Sequence, residues 1–447
     1  MTIPDLLAAG RYGDVVASVE SMPGEAVDIS VILAYSHSLE AVGRHLDAFN
    51  VLVGLHDSAP REDVARVVVA TMCRLSIRDP ELLQRLANTY PDSGVIKAGM
   101  SEMALQDGDY QTGFDLCRNR WAVTKVRPEI EALPVWDGSP LDGRRLLVSA
   151  EQGLGEEILF SRFFGQLPPA IISCDPRLMP LFSRSFPWHE FVPKGTLKNH
   201  AVTGCVAIDA MELGRLYRRT AFANPKSWLT ADPHQSLDIS GAIRDAMPGK
   251  RLVGLSWGSR RLKIGDSKSV PISDMLPLFD SGHIFFDLQY GEHQADLDIV
   301  RAAGHELYGV NGIDVTHDID GLAALISALD VVVTCSNTTA HLAGALGKRT
   351  ILLAPGGTFV LWYWGADGNR TPWYPSVEIL RGPPRRTWRE LAEQVAAEEG
   401  FHVLAWVGDH FQIPTVGVAV DPAAGPRCGH QLLYRYAVRG RAGGRLR

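Results

Sequence analysis

The sequence predicts an α/β protein with an all-α amino-terminal part, and three observations predict it. Gly10, Gly43 and Gly108 each close one amphipathic helical pattern and open another, at separations close to one and two units of a ~34-residue period. Arg144 to Ala150 and Val331 to Val333 are short apolar runs that lead into glycine- or hydroxyl-rich turns and then into helices. Runs of the same kind recur between Arg251 and Leu353 with helical stretches between them, the alternation of a parallel sheet. The chain of 447 residues is long enough for two to four domains, and 46% apolar with 21% charged residues is the composition of a soluble globular protein.

Residues 1–135 read as the helical part. Gly10-Arg11-Tyr12, Gly43-Arg44-His45 and Gly108-Asp109-Tyr110 share a glycine followed two residues later by a ring. This is the tight turn of a helix–turn–helix unit, and the segment resembles tetratricopeptide repeats. The unit near residues 75–80 is degenerate and the usual tryptophan is missing. Fewer than three units do not stand alone, so three to four helical hairpins are expected, packed on the next domain. Such an array offers a groove for a protein partner, or serves as a spacer or dimerisation arm. Arg127 to Pro140, with three prolines and Trp136, reads as the linker out of it.

Residues 141–240 read as a first α/β half. After the strand at 144–150 comes Glu151-Gln152-Gly153-Leu154-Gly155-Glu156-Glu157, then Ile158, Leu159, Phe160 and Phe163 at helical spacing. Gly153 and Gly155 let the backbone approach a ligand. Ile158 stands where a dinucleotide fingerprint needs its third glycine, which disfavours a Rossmann dehydrogenase. Strands are expected at 171–174, 191–192 and 205–209. The segment from Ala150 to Glu156 resembles the A-E-Q-G-L-G-D element of bacterial glycosyltransferases that follow tetratricopeptide arrays and are related to the heptosyltransferases. The resemblance implies a GT-B arrangement of two facing Rossmann-like halves, with the carboxylate that closes the motif as general base. Glu156 holds that place here, one methylene longer than the usual aspartate. An acid in the first turn of a helix also suits the helix dipole with no chemistry at all. Glu157 is the alternative base.

Residues 250–400 read as the half that holds the nucleotide-sugar. The strand at 251–257 ends in Trp257-Gly258, and a basic loop with Arg260, Arg261 and Lys263 leads to Lys268-Ser269-Val270-Pro271. Cations at a strand's carboxyl end can neutralise a diphosphate leaving group. The resemblance assigns Trp257, Gly258, Lys268 and Ser269 to the donor site, and Gln289 and Gly291 of the 284–291 strand and turn to the base or ribose. Next come the strand at 331–333, Ser336-Asn337-Thr338-Thr339, and a helix carrying His341. A helix amino terminus with free N–H groups after a parallel strand is an anion site. Asn337, Thr338, Thr339 and His341 match the family's donor loop, although the same residues also suit an ordinary cap and core. The run Leu361-Trp362-Tyr363-Trp364 to Trp373-Tyr374-Pro375-Ser376 resembles the family's W-R-W…P-W-Y-P-S element, with Tyr363 in place of the arginine. A helix at 388–397 is placed where GT-B chains cross back to the first half.

Residues 401–447 fall outside the resemblance and read as a solvated, disordered extension, with five arginines after Tyr434. Net charge is −7, from 44 basic and 51 acidic residues, which makes general nucleic-acid binding an unfavourable reading. The six cysteines form no C-x-x-C pair, no basic leader precedes an apolar core, and no apolar run reaches the ~18 residues of a membrane span. A cytoplasmic protein without a cofactor or metal is expected, its substrates a nucleotide-sugar and an acceptor on a protein or glycan. The expected reaction is metal-independent, inverting transfer to a hydroxyl. The competing expectation is a catalytically lapsed scaffold that binds a protein through its repeats.

Overall fold

The computed structural model describes residues 2–22, 28–124, 130, 132–150, 153–201, 203–223, 227–259, 265–365, 367–397 and 433–435. Glu151, Gln152 and the basic positions Arg260, Arg261 and Lys263 lie outside the described residues, as does the tail apart from 433–435.

Eight helices come first: α1 (Ile3–Ala8), α2 (Tyr12–Glu20), α3 (Ile29–Ala41), α4 (His45–Ser58), α5 (Glu62–Leu75), α6 (Pro80–Thr89), α7 (Gly94–Gln106) and α8 (Tyr110–Leu116). The helices pair as α1 with α2, α3 with α4 and α7 with α8. The turns between them are made by Gly10, Gly43 and Gly108 at φ +66°, +82° and +80°, a backbone that side chains rarely adopt. The third pair departs from this pattern. Ser76 takes the left-handed turn at φ 54°, and α5 packs on α4 and α7 rather than on α6. Its hydroxyl meets the backbone of a distant segment, accepting the Val360 N–H at 3.1 Å.

A short helix α9 (Trp121–Thr124) leads out of the array. The expected linker is stitched to the next domain: Trp136 is buried, its N–H bonds the Ala207 carbonyl at 2.8 Å, and Ala207 N–H bonds Pro134 at 2.9 Å.

The first sheet joins β1 (Arg145–Ser149), β2 (Ala170–Cys174), β3 (Glu190–Pro193) and β4 (Cys205–Asp209), all parallel, in the order β3-β2-β1-β4. Helices α10 (Leu154–Phe160), α11 (Met179–Ser185), α12 (Leu213–Ala223) and α13 (Pro233–Ala246) accompany it. The second sheet has β5 (Leu252–Ser256), β6 (Ile284–Asp287), β7 (Tyr308–Val310), β8 (Val331–Cys335), β9 (Thr350–Ala354) and β10 (Val377–Arg381) parallel, and β11 (Leu433–Arg435) antiparallel, in the order β10-β9-β8-β5-β6-β7-β11. Its helices are α14 (Gly265–Lys268), α15 (Ile272–Met275), α16 (Gln294–Ala302), α17 (Ile319–Ala328), α18 (Thr338–Ala345) and α19 (Trp388–Ala397).

Two expectations change here, and one contact joins the two segments. Residues 433–435, read as part of a solvated extension, close the edge of the second sheet beside β7. Helix α19 does not cross to the first half; Leu391, Ala392 and Val395 pack with Val253, Met275 and Leu278 on one face of the second sheet. Helix α13, from the first segment, packs on α17 of the second.

The array, the first sheet and the aromatic run share one continuous core. Phe114 of α8 stands edge-on to Phe163, Trp362 and Trp373, with centroids 6.5, 6.3 and 6.0 Å away. Arg118 grips Glu212 with two hydrogen bonds of 2.9 and 2.8 Å, and Arg120 pairs with Asp209. Truncating Phe114 removes the ring that joins array to sheets. Phe114→Ala is expected to lower the unfolding free energy by about 3–5 kcal/mol in urea titration, the range for a buried ring replaced by a methyl.

Candidate functional site

Both sheets present the carboxyl ends of parallel strands as turns onto helices. At β8 the polar turn is built around Asn337, the N-cap of α18, which accepts the Ala340 N–H at 3.2 Å. Its amide nitrogen donates to Ser256 Oγ at 2.8 Å and to the Gly258 carbonyl at 3.1 Å. Gln289 completes the clamp from β6: its oxygen accepts the N–H groups of Trp257 and Gly258 at 2.9 and 2.7 Å, and its nitrogen donates to Tyr290 O. Two side chains expected at the ligand are therefore spent holding the end of β5. Buried amides need partners, and the strand ends supply them.

Trp257 is likewise turned into the core, with its indole N–H on Asp296 at 2.7 Å and its ring against His293. Ser269 Oγ accepts the Ser259 N–H and donates to Gly265 O, each at 2.9 Å. Gly291, at φ +77°, donates its N–H to Thr316 Oγ1 at 3.1 Å. Lys268 is buried beside Cys335. Burial pushes that thiol up to about 12, against the pull of the Lys268 charge. Thr338 opens α18 half-buried, and Thr339 is fully buried with a hydroxyl that finds no partner among the described residues.

On the first sheet, Gly153 is the N-cap of α10. The Glu156 carboxylate folds back over it, so a Cβ at Gly153 would lie 2.6 Å from Oε2. Glu157 does something else. Its carboxylate is buried, accepting the Asp175 N–H at 2.7 Å and pairing with Lys194 at 2.9 Å. Burial raises its pKa and Lys194 opposes the rise. Glu157 thus ties together the ends of β2 and β3, which leaves Glu156 as the acid at the turn.

The two turns meet. A Cβ at Gly155 would lie 2.8 Å from the His341 ring, so α10 and α18 touch where any side chain would force them apart. His341 Nδ1 is 2.7 Å from the Tyr374 hydroxyl, and Tyr363 and Trp364 flank the ring at 4.8 and 5.1 Å. Tyr374 is fully buried, which holds its hydroxyl well above the ordinary pKa; Tyr363 and Glu156 add to the shift and Arg162 opposes it. Trp228 stacks on Tyr374 at 5.5 Å, and the Arg162 guanidinium lies 4.8 Å over Trp228. Arg162 donates to Trp373 O at 2.8 Å, and burial draws its pKa down to about 10.

Thus Gly153, Gly155, Glu156 and His341 come together, while Trp257, Gly258, Lys268, Ser269, Gln289 and Asn337 form a second group around the ends of β5 and β8. Sequence reasoning missed Arg162 and Trp228. An arginine inside Ile158-Leu159-Phe160-Ser161-Arg162-Phe163-Phe164 was the available signal, because a cation in an apolar helical run is seldom buried without a purpose.

No protein-family model matches the chain. It is similar to Protein FlbA of Caulobacter vibrioides (strain ATCC 19089 / CIP 103742 / CB 15), 27% identical over 348 residues, which is 72% of this chain and 57% of that protein. The chain therefore spans little more than half the length of this curated relative. Among solved structures it is similar to the E. coli ADP-heptose lps heptosyltransferase II (14% identity, TM-score 0.37, 57% of this chain and 98% of that one). A glycosyl transferase family 9 protein from Veillonella parvula DSM 2008 is also similar (12% identity, TM-score 0.41, 55% and 87%). So is the iron-containing heptosyltransferase TibC, solved with ADP-D-beta-D-heptose (13% identity, TM-score 0.35, 60% and 75%).

Beside the second group, His293 Nε2 is 2.8 Å from the buried Asp287 carboxylate. Burial works against the charged imidazole, but the hydrogen bond and charge of Asp287, together with the Gly291 carbonyl and the charge of Asp296, outweigh it and raise the pKa. A raised folded value means the stabilisation is complete below the unfolded pKa of ~6.5 and is lost as pH rises through the folded value. The stability gap between wild type and Asp287→Asn, measured by urea titration across that window, is therefore expected to narrow as pH rises. A gap independent of pH would contradict the pairing.

Proposed function

We propose that this chain is a glycosyltransferase of GT-B arrangement that moves a sugar from a nucleotide-sugar to an acceptor hydroxyl with inversion and without a metal. The observation that carries the reading is the contact of Gly155 with His341. It sets the glycine turn of one parallel sheet against the hydroxyl-rich turn of another, each turn at a carboxyl edge, where α/β sheets bind ligands. The sequence motifs at both turns support the same reading.

Glu156 takes the proton of the acceptor hydroxyl as that oxygen attacks the anomeric carbon. The bond from this carbon to the nucleoside diphosphate breaks in the same displacement, and one base suffices for one inversion. Negative charge gathers on the departing diphosphate. The amino end of α18, with Thr338 and Thr339, and the Lys268 ammonium are the groups suited to receive it. The helical hairpins, tetratricopeptide-like in their turns, would hold a protein acceptor or partner, and the chain would work in the cytoplasm.

A second reading, a lapsed scaffold, is favoured by one observation: Trp257, Gln289 and Asn337 are all committed inside the protein, and His341 is enclosed by Tyr363, Trp364 and Tyr374. Thermal-shift measurements against nucleoside diphosphates and their sugars separate the two, since a scaffold of this kind would be stabilised by none of them.

Two substitutions test the transferase reading. Glu156→Gln is expected to reduce sugar transfer by about 10²–10⁴-fold, the range for a lost general base, with nucleotide affinity nearly unchanged. Equal losses of binding and turnover would remove Glu156 from that role. Lys268→Ala is expected to weaken nucleoside diphosphate binding by about tenfold in calorimetric titration, as for a lost charge-assisted contact. An unchanged isotherm would remove Lys268 from the donor site.

A further inference from the structure

The helical array reaches the carboxyl edge of the second sheet. Residues 355–364 leave β9 at that edge and run beside the β8–α18 turn, because β8 and β9 are parallel neighbours. The beginning of this segment is held by the second sheet's own turns: Gly356 gives its N–H to Pro383 O, and its carbonyl accepts Arg385 Nε, each at 2.9 Å. The middle is held by the array. Val360 is buried, with its N–H on Ser76 Oγ at 3.1 Å and its carbonyl on Gln106 Nε2 at 3.3 Å. Phe359 stands edge-on to His45 of α4 at 5.9 Å, and α7 packs along Trp362–Trp364.

The backbone at this contact is unusual on both sides. Three non-glycine residues among the described ones have left-handed φ, and two of them meet here, Ser76 at 54° and Phe359 at 61°. A bulky residue keeps such a backbone only where its surroundings impose it. The other array turns place glycine in that conformation, at Gly10, Gly43 and Gly108, and so have no side chain to offer. Serine at position 76 supplies the hydroxyl that receives the Val360 N–H.

Four residues beyond Val360 the segment closes on the hydroxyl-rich turn. Trp364 gives its indole N–H to Ser336 Oγ at 2.9 Å, and the Tyr363 and Trp364 rings flank His341. Ser336 and His341 bracket Asn337, Thr338 and Thr339. Array, Val360, paired rings and turn thus form one unbroken chain of contacts.

We propose that Ser76 and Gln106 are positioning residues: by gripping Val360 from the array they fix Tyr363 and Trp364, and through these rings the turn from Ser336 to Thr339. The inference rests on the transferase reading given above, in which that turn receives the diphosphate of the nucleotide-sugar. The array is then a working part of the donor side, besides any partner that it holds. Both residues act through others rather than on the ligand. Rings held in place before the ligand arrives remove an ordering cost from binding.

The test compares the full chain as wild type, Ser76→Gly and Gln106→Leu. Glycine keeps the left-handed turn, as in the other pairs, and removes the hydroxyl. Circular dichroism checks the fold of each variant, and should one misfold the other decides. Hydrogen exchange read by mass spectrometry needs no ligand. Both variants are expected to exchange about threefold to tenfold faster than wild type over 359–364 and over 336–341, as for one lost hydrogen bond, with β1–β4 unchanged. Calorimetric titration with UDP, GDP and ADP follows. Whichever of them wild type binds is expected to bind about threefold to tenfold more weakly in both variants. Faster exchange confined to 359–364 overturns the proposal, and so does wild-type affinity in both variants. A single variant that leaves both readouts at the wild-type level removes its residue from the role. Should wild type bind none of the three nucleotides, the transferase reading fails, and exchange over 336–341 alone then decides whether the array holds the turn.

Discussion

The absent side chain at Gly155 is the constraint on which the rest of the arrangement depends. A methyl group there would stand 2.8 Å from the His341 ring, closer than nonbonded carbons approach, so α10 and α18 could not meet. Around that contact the packing is aromatic on every side. Tyr374, Tyr363 and Trp364 hold the histidine, and Trp373 passes the packing on to Phe114, Tyr110 and Phe222. One buried layer thus binds the helical array to both sheets. The position of the two turns relative to each other is set by this layer rather than by loops.

That layer also explains the polar groups buried within it. Arg162 has its charge disfavoured by burial, yet it is kept over Trp228, where the ring face offers the cation an attractive partner. Trp228 gives its indole N–H to Ser161 Oγ at 2.9 Å, and Trp364 gives its own to Ser336 Oγ at 2.9 Å. Trp228 and Trp364 therefore bury their area without stranding a donor. Arg381 serves the same layer from β10 by donating to the carbonyls of Trp364 and Gly365 at 2.7 and 2.9 Å. Ordering of this kind suits a site whose groups must be held in place before a ligand arrives.

Legibility in the sequence followed the range of the interaction. The glycine turns at Gly10, Gly43 and Gly108 were readable because a left-handed backbone position is a local requirement. The strands β1, β4, β5, β8 and β9 were readable because buried parallel strands are apolar throughout. Short β7 and the β10 run Val377-Glu378-Ile379-Leu380-Arg381 carried weaker signals, and β11 depends on pairing with a partner more than a hundred residues away. The site residues divide in the same way. Which turns carry glycines and hydroxyls is local, whereas the use of each side chain is not. Gln289 and Asn337 look like ligand contacts in the sequence, but each bonds the end of β5, from 31 to 81 residues away along the chain.

Glu156 and Glu157 show why adjacent, nearly identical residues take different parts. Successive positions of a helix point about 100° apart, so one of two neighbouring acids faces the sheet while the other faces the turn. Glu157 falls on the inner side, where the ends of β2 and β3 offer it an N–H and an ammonium group. Glu156 falls on the side that overlooks Gly153 and shares its surroundings with Tyr374. A longer acid at that position is accommodated because the carboxylate folds back across a residue that has no side chain. The glycine of the motif and the glutamate that closes it are therefore one structural unit: replacing Gly153 would displace the carboxylate, and shortening the acid to aspartate would withdraw it from the space the glycine leaves open.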